Sequence, residues 1–330
     1  MARTGPTSFT LLGGMDSMSL LQSCRAPETN GGLLIAHFDA LYLRMFPRNK
    51  RDPHPSQMMT ASSVPDLVDM LLMCLQEHFH DSAVVETVVA FFNALLGCKA
   101  FKQRTVDKLI EQIRAGSYMC NIVGVHFANP TIIGQTCVIL ATMIDHDGHL
   151  AARCRINGTL DSILYLAKAP YTPHIIAQFL LVVVALSKYE ESIPFLTKRG
   201  ATSLLIDFCF IYAGKSSAVV QCALETILNI SKVDKNADLI ARSDGVNAIM
   251  QALNAEPDNM EVRKVGLALL SHLLISSEHA RAKFCSAAGF SRVLKLVLDS
   301  TFNRPIDESI AIGLSLLKYH GVTQLPISNA

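Results

Sequence analysis

Residues 199–231 read RGATSLLIDFCFIYAGKSSAVVQCALETILNIS, and this stretch decides the fold. Gly200 follows a short helical segment and precedes an apolar-periodic helix around Leu204–Phe208. After a linker, Val219, Ala223, Leu224, Ile227 and Leu228 recur at the spacing of one helix face. The pattern predicts a short helix, a glycine turn, a middle helix, a linker and a long helix.

The same arrangement returns along the chain. Asn157-Gly158-Thr159, Arg199-Gly200-Ala201, Asp244-Gly245-Val246 and Ala288-Gly289-Phe290 set glycines 42, 45 and 44 residues apart. A sharp turn between helices often needs a positive φ, so each glycine is expected to supply one. The cores Gly266-Leu267-Ala268-Leu269-Leu270 and Gly313-Leu314-Ser315-Leu316-Leu317 differ at one small residue. A period of about 40–47 residues is that of armadillo and HEAT arrays.

Composition agrees with stacked helices. Half of the 330 residues are hydrophobic, 17% are charged and Trp is absent, so aliphatic side chains must do the packing. The net charge of +1 provides no overall field for nucleic acid or an anionic membrane, and neither partner is expected. The nine cysteines hold no C-x-x-C pair and read as reduced, intracellular core thiols. Phe9–Leu12 is too short for a secretory h-region, and Ile175–Leu186 is too short to span a bilayer. Residues 1–25, with Arg3 and Arg25 against the single acid Asp16, weakly resemble a mitochondrial presequence.

Val219–Ser231 resembles the third helix of the armadillo family, including the Asn before the last apolar residue, and Leu239–Leu253 is similar to its first two helices. The resemblance implies an all-α, right-handed α-solenoid. Full repeats are expected at about 100–144, 145–187, 188–231, 232–275 and 276–319, after an incomplete one at 64–97. Residues 33–46, with Leu34, Phe38, Leu41 and Met45 on one face, read as a capping helix. Residues 1–32 read as an extended or disordered tail, 47–63 as a Pro- and Ser-rich linker, 64–320 as the array and 321–330 as a C-terminal tail.

Armadillo arrays bind peptides in a concave groove lined by third helices. The Trp and Asn positions of nuclear-import adaptors of this fold fall, in order, on Val89 and Asn93, Val138 and Thr142, and Leu181 and Ala185. The later repeats place Glu225 and Asn229, Ala268 and His272, and Ser315 and Tyr319 there. No Trp survives, so cation–π capture of Lys by Trp is lost and import-receptor activity is not expected. The expected groove is instead formed by Asn93, Val138, Thr142, Leu181, Gln221, Glu225, Asn229, His272 and Tyr319, and would suit an amphipathic helix or extended segment.

Gly116–Asn129 reads as an unusually long, apolar loop. Its Tyr118, Met119, Ile122, Val125 and Phe127 form a second candidate surface for a partner or for another copy of the chain. Asp145, His146, Asp147 and His149 offer groups for a transition metal, the basis of an alternative reading as a metal-dependent hydrolase. Asp and Gly at a repeat junction equally serve as caps and turns. No phosphate loop, G-x-S-x-G or H-E-x-x-H occurs. The expectation is a non-enzymatic, cofactor-free scaffold in the cytoplasm. A cytoskeletal or ciliary assembly is the setting that family analogy suggests.

Overall fold

The computed structural model describes residues 31–45, 64–303, 311–313, 315 and 318. Helices and short connections make up all of it, with no strand among the described residues. Residues 1–30 of the expected 1–32 tail, the linker at 47–63, Tyr319 and residues 321–330 lie outside the described residues.

In chain order the helices are α1 (Gly31–Met45), α2 (Val64–Glu77), α3 (Ser82–Gly97), α4 (Lys102–Glu111), α5 (Ile113–Val125) and α6 (Pro130–Ile144). Next come α7 (Gly148–Ile156), α8 (Thr159–Ala167), α9 (Pro173–Ser187), α10 (Ile193–Lys198), α11 (Ala201–Tyr212) and α12 (Ser217–Ser231). The series ends with α13 (Asp234–Arg242), α14 (Gly245–Ala255), α15 (Met260–Ser276), α16 (Glu278–Ser286) and α17 (Gly289–Asn303). From α4 on they group in threes: short, middle, long. This is the armadillo-type repeat of a helical solenoid.

The chain forms two compact units, residues 1–163 and 164–330, divided within α8. In the first, long helix α3 packs on long helix α6, and middle helix α2 touches middle helix α5. In the second, α12 packs on both α9 and α15, α14 on both α11 and α17, and α13 on α16. Like helices stack on like. An amphipathic helix cannot cover its own apolar stripe, so the neighbouring copy supplies the cover.

Four of the five long helices, α9 being the exception, start at polar residues that satisfy otherwise orphaned N–H groups. Asp81 accepts from the N–H groups of Ala83 and Val84 at 3.0 and 3.4 Å, and Asn129 from those of Thr131 and Ile132 at 3.1 and 3.2 Å. Asn259 accepts from Val262 at 3.1 Å. Their interiors are nearly continuous apolar runs buried on several sides, as in α9, where Phe179, Leu180 and Val182–Leu186 are all buried. Full burial of such a side chain contributes about 1.5–3 kcal/mol.

Ahead of the triplets, α1 lies against α3. Leu34, Phe38, Leu41 and Met45 are buried, and the rings of Phe38 and Tyr42 meet Phe91 edge-on at 6.1 and 5.7 Å. The helix begins at Gly31, before the expected start at 33.

Two expectations need correction. Gly116–Asn129 is not a loop, since α5 runs through it to Val125 and the connection is only the short stretch before Pro130. Ala115, Met119 and Ile122, spaced as one helix face, are fully buried. Gly116 interrupts nothing. A Cβ there would come within 2.7 Å of Leu150 Cδ1, so glycine permits close packing inside a helix.

The glycines also differ in role. Gly158 and Gly200 have φ of +81° and +73°, as expected. In the last two copies the left-handed residue is instead the preceding one, Asp244 at 68° and Ala288 at 52°. Positions 158, 200, 244 and 288 are then 42, 44 and 44 residues apart, a more regular period than the glycines themselves. Gly245 and Gly289 lack room for a Cβ, which would fall 2.7 Å from the Ile240 carbonyl oxygen and 2.2 Å from the Phe284 ring respectively.

Candidate functional site

Several polar residues expected in the groove bond to the neighbouring repeat. Asn229 on α12 is 8% exposed; its Nδ2 donates to Ser187 Oγ on α9 at 3.0 Å, and its Oδ1 accepts from Lys232 Nζ at 2.9 Å. His272 on α15 lies 2.9 Å through Nε2 from the carbonyl oxygen of Ser231. Asn93 on α3 donates through Nδ2 to the Gln135 carbonyl on α6 at 3.0 Å. These bonds span 42, 41 and 42 residues, one repeat each. They stitch the stack, and both polar atoms of Asn229 are engaged within the array. Ala185 is likewise buried.

What faces solvent in the second unit is a stripe on each long helix. On α12 it runs through Gln221, Glu225, Leu228 and Lys232, spaced by three or four residues. Gln178 and Leu181 on α9, and Lys264, Ala268 and Ser271 on α15, are the half-buried counterparts beside it. Gln221 and Glu225 make no hydrogen bond among the described residues. The face therefore combines small apolar ground with unengaged polar groups. Leu228 and Ile275, the latter 69% exposed, were missed from sequence. Continuing the spacing from Gln221 would have found Leu228.

In the first unit, α1 and α3 enclose an open cleft of about 400 Å³ with Gln135 of α6. Ile35, Phe38 and Ala90 supply its apolar floor, while Asp39, Glu86 and Tyr42 stand at its polar edge. Burial pushes the Asp39 carboxyl above its ordinary pKa. Asn93 lies one turn beyond Ala90. Its Oδ1, and Gln135 Oε1, are buried without a hydrogen-bond partner among the described residues. Leaving such an acceptor dry and unpaired costs about 1–3 kcal/mol, so the face is chemically incomplete. Val138 and Thr142, further along α6, are half-buried, and Thr142 Oγ1 donates to the Val138 carbonyl of its own helix. α1's part in this cleft was not legible beforehand, because nothing in a helix's own pattern says which neighbour it will flank.

The second candidate surface is mostly core. Met119 and Ile122 are fully buried, Tyr118 is half-buried with its hydroxyl donating to Gln76 Oε1 at 3.1 Å, and only Val125 and Phe127 are exposed. At the Asp145–His149 turn, Asp147 caps α7 by accepting from the His149 N–H at 2.9 Å. Among the described residues, no three His, Cys, Asp or Glu side chains are grouped to hold a metal.

Comparison with known proteins places this geometry. The family model described as CCP1-like, N-terminal TPR repeats matches residues 48–314. A sequence comparison with curated proteins finds no match. Among solved structures, a designed armadillo repeat protein superposes with a TM-score of 0.60 at 16% identity, covering 78% of this chain and 99% of its own. Another, in complex with the peptide (KR)4, gives 0.59 at 15% identity over 78% and 99%. An engineered protein gives 0.62 at 13% identity over 94% and 77%. These likenesses concern the fold. The family description speaks of TPR repeats, whose unit is a helix pair of about 34 residues; here the unit is three helices with the longer armadillo period.

Proposed function

Because this chain belongs to the family of CCP1-like, N-terminal TPR repeats, we propose that it is a non-enzymatic scaffold that binds a protein segment along its long-helix faces. The observation that carries this reading is the pair of orphaned acceptors, Asn93 Oδ1 and Gln135 Oε1, beside the α1–α3 cleft. Backbone N–H groups of an extended segment, or the N–H groups of Lys and Arg, are the donors they lack. Asp39 and Glu86 at the rim favour a basic segment, and an apolar side chain of that segment fits over Ile35 and Ala90. The designed armadillo protein solved with (KR)4 is a precedent for this chemistry on this fold.

In the second unit the α9–α12–α15 face is a further contact area, with Leu181, Leu228 and Ala268 as apolar ground and Gln221 and Glu225 as polar contacts. The setting we propose is a cytosolic cytoskeletal or ciliary assembly, on the armadillo resemblance. Among the described residues no helix is long and apolar enough to cross a membrane.

The test is fluorescence polarisation with a labelled peptide of alternating Lys and Arg against the full chain. Asp39→Lys/Glu86→Lys should weaken binding about tenfold, since two rim charges of up to about 1 kcal/mol each change sign. Equal binding by that variant, or equal binding of an alternating Glu-Asp peptide, would sink the cleft reading.

A further inference from the structure

Cys120 on α5 and Cys154 on α7 belong to successive repeats within the first unit. Their sulfurs are 3.6 Å apart, although 34 residues separate them in sequence. Both are buried, at 4% and 0% exposed. Around Cys120 stand the hydrogen-bonding groups Asn157 and Thr159, with the positive charge of Arg153 nearby. Ser117 Oγ, one turn before Cys120, accepts from that guanidinium at 2.7 Å and so fixes its position.

These neighbours set the two thiols apart from the others. The Cys154 hydrogen bond, helped by Asn157, Thr159 and Arg153, holds the Cys120 thiol below its ordinary pKa against the opposing effect of burial. The same bond, with burial, keeps the Cys154 proton in place. Burial alone pushes Cys209 up to about 12, and chiefly burial does the same at Cys74 and Cys222. Cys137 on α6 is fully buried and is also held protonated. A thiolate in van der Waals contact with a thiol is the starting arrangement for disulfide formation. A metal is the poorer occupant, because Arg153 repels a cation and no third ligand joins the pair among the described residues.

We propose that Cys120 and Cys154 form a reversible oxidation site, a dithiol that a hydroperoxide converts to a disulfide across the repeat junction. The Cys120 thiolate attacks one peroxide oxygen: an S–O bond forms, the O–O bond breaks, and the departing hydroxide takes a proton to become water. Cys154 gives up its proton, and its sulfur attacks the sulfenic sulfur of Cys120. The S–S bond forms, the S–O bond breaks, and a second water leaves. Two thiols are oxidised and one hydrogen peroxide is reduced to two waters. The sulfurs must close from 3.6 Å to about 2.05 Å, a shift that α5 and α7 can share. The product ties the middle helix of one repeat to the first helix of the next.

The experiment titrates the reduced full chain with hydrogen peroxide and maps its peptides by mass spectrometry without reduction. The expected first intrachain product is a Cys120–Cys154 linked pair that dithiothreitol reverses, accompanied by a melting midpoint raised by about 5 °C. Cys120→Ser or Cys154→Ser should abolish both changes, and Cys137→Ser should keep them; Cys→Ala variants repeat the comparison should a serine disturb the core. The proposal is overturned if the wild-type chain gains no such link while exposed Cys285 oxidises. It is equally overturned if Cys137 links as readily, or if Cys120 advances to sulfinic acid alone. Stoichiometric zinc retained by the wild type and lost from both serine variants would replace it with a metal site.

Discussion

Gly200 and Gly245 look interchangeable in sequence, and the structure predicts that their replacement by alanine fails for different reasons. At Gly200 a Cβ meets nothing within 4 Å, so the only obstacle is its φ of +73°. Alanine in the left-handed region costs about 1–2 kcal/mol, and asparagine tolerates that region better. At Gly245 the φ is not left-handed, but a Cβ would lie 2.5 Å from Ile240 Cγ2 and 2.7 Å from the Ile240 carbonyl oxygen. Backbone cannot swing aside as a side-chain tip can. Overpacking of this kind costs about 1–3 kcal/mol, and a rigid carbonyl places the value near the top. With a urea m-value of about 2 kcal/mol/M, Gly200→Ala should lower the unfolding midpoint by about 0.5 M and Gly245→Ala by about 1.5 M. Gly200→Asn should recover most of its loss, whereas Gly245→Asn should recover none, because any Cβ meets the same carbonyl. The assay is urea unfolding followed by helical circular dichroism, with unchanged slopes. The reasoning is refuted if Gly245→Ala is no worse than Gly200→Ala, or if asparagine rescues 245 and not 200.

Three other outcomes follow from the packing. Asn229→Ala should lose about 1 kcal/mol of stability, one buried hydrogen bond, because Ser187 Oγ keeps its own bond to the Val184 carbonyl. Peptide binding should be unaffected, and unaltered urea stability would contradict the stitching role. Phe38→Ala removes a fully buried ring from the α1–α3 contact and should cost about 3 kcal/mol. Limited proteolysis should then cut within α1 first, and a protease-resistant α1 would count against the packing described. The third outcome concerns acid. Ser277's hydroxyl, then Arg242's guanidinium, hold the exposed Asp238 carboxyl below its ordinary pKa. A lowered folded pKa gives stability that is present above the unfolded value and lost as pH falls through the folded one. Asp238→Asn should therefore be less stable near neutrality and flatten the acid limb of the stability curve below about pH 4; an unchanged limb would show that the Ser277 bond has no such effect.

The candidate site was only half legible in advance, for a physical reason. Helical spacing tells which residues share a face, so Val138, Leu181, Gln221 and Glu225 were expected on the outer face of the long helices, and the structure leaves them partly open. It does not tell whether a polar group on that face meets water or the next repeat. Asn229 and Glu225 sit one turn apart on α12; the first is bonded across to α9, the second makes no hydrogen bond among the described residues. The α5 segment was misread because glycine commonly punctuates helices, and Gly116's contact with Leu150 is invisible until the helices are stacked.

Sequence alone determined the period, the helical class and the like-on-like stack, because an apolar stripe repeated every 42–45 residues has no other way to leave water. Which glycines serve a turn and which a tight contact was decided only when neighbouring copies came together. So were the orphaned acceptors beside the α1–α3 cleft and the meeting of Cys120 with Cys154. Each depends on atoms far apart in the chain, and periodicity fixes faces, not distances between them.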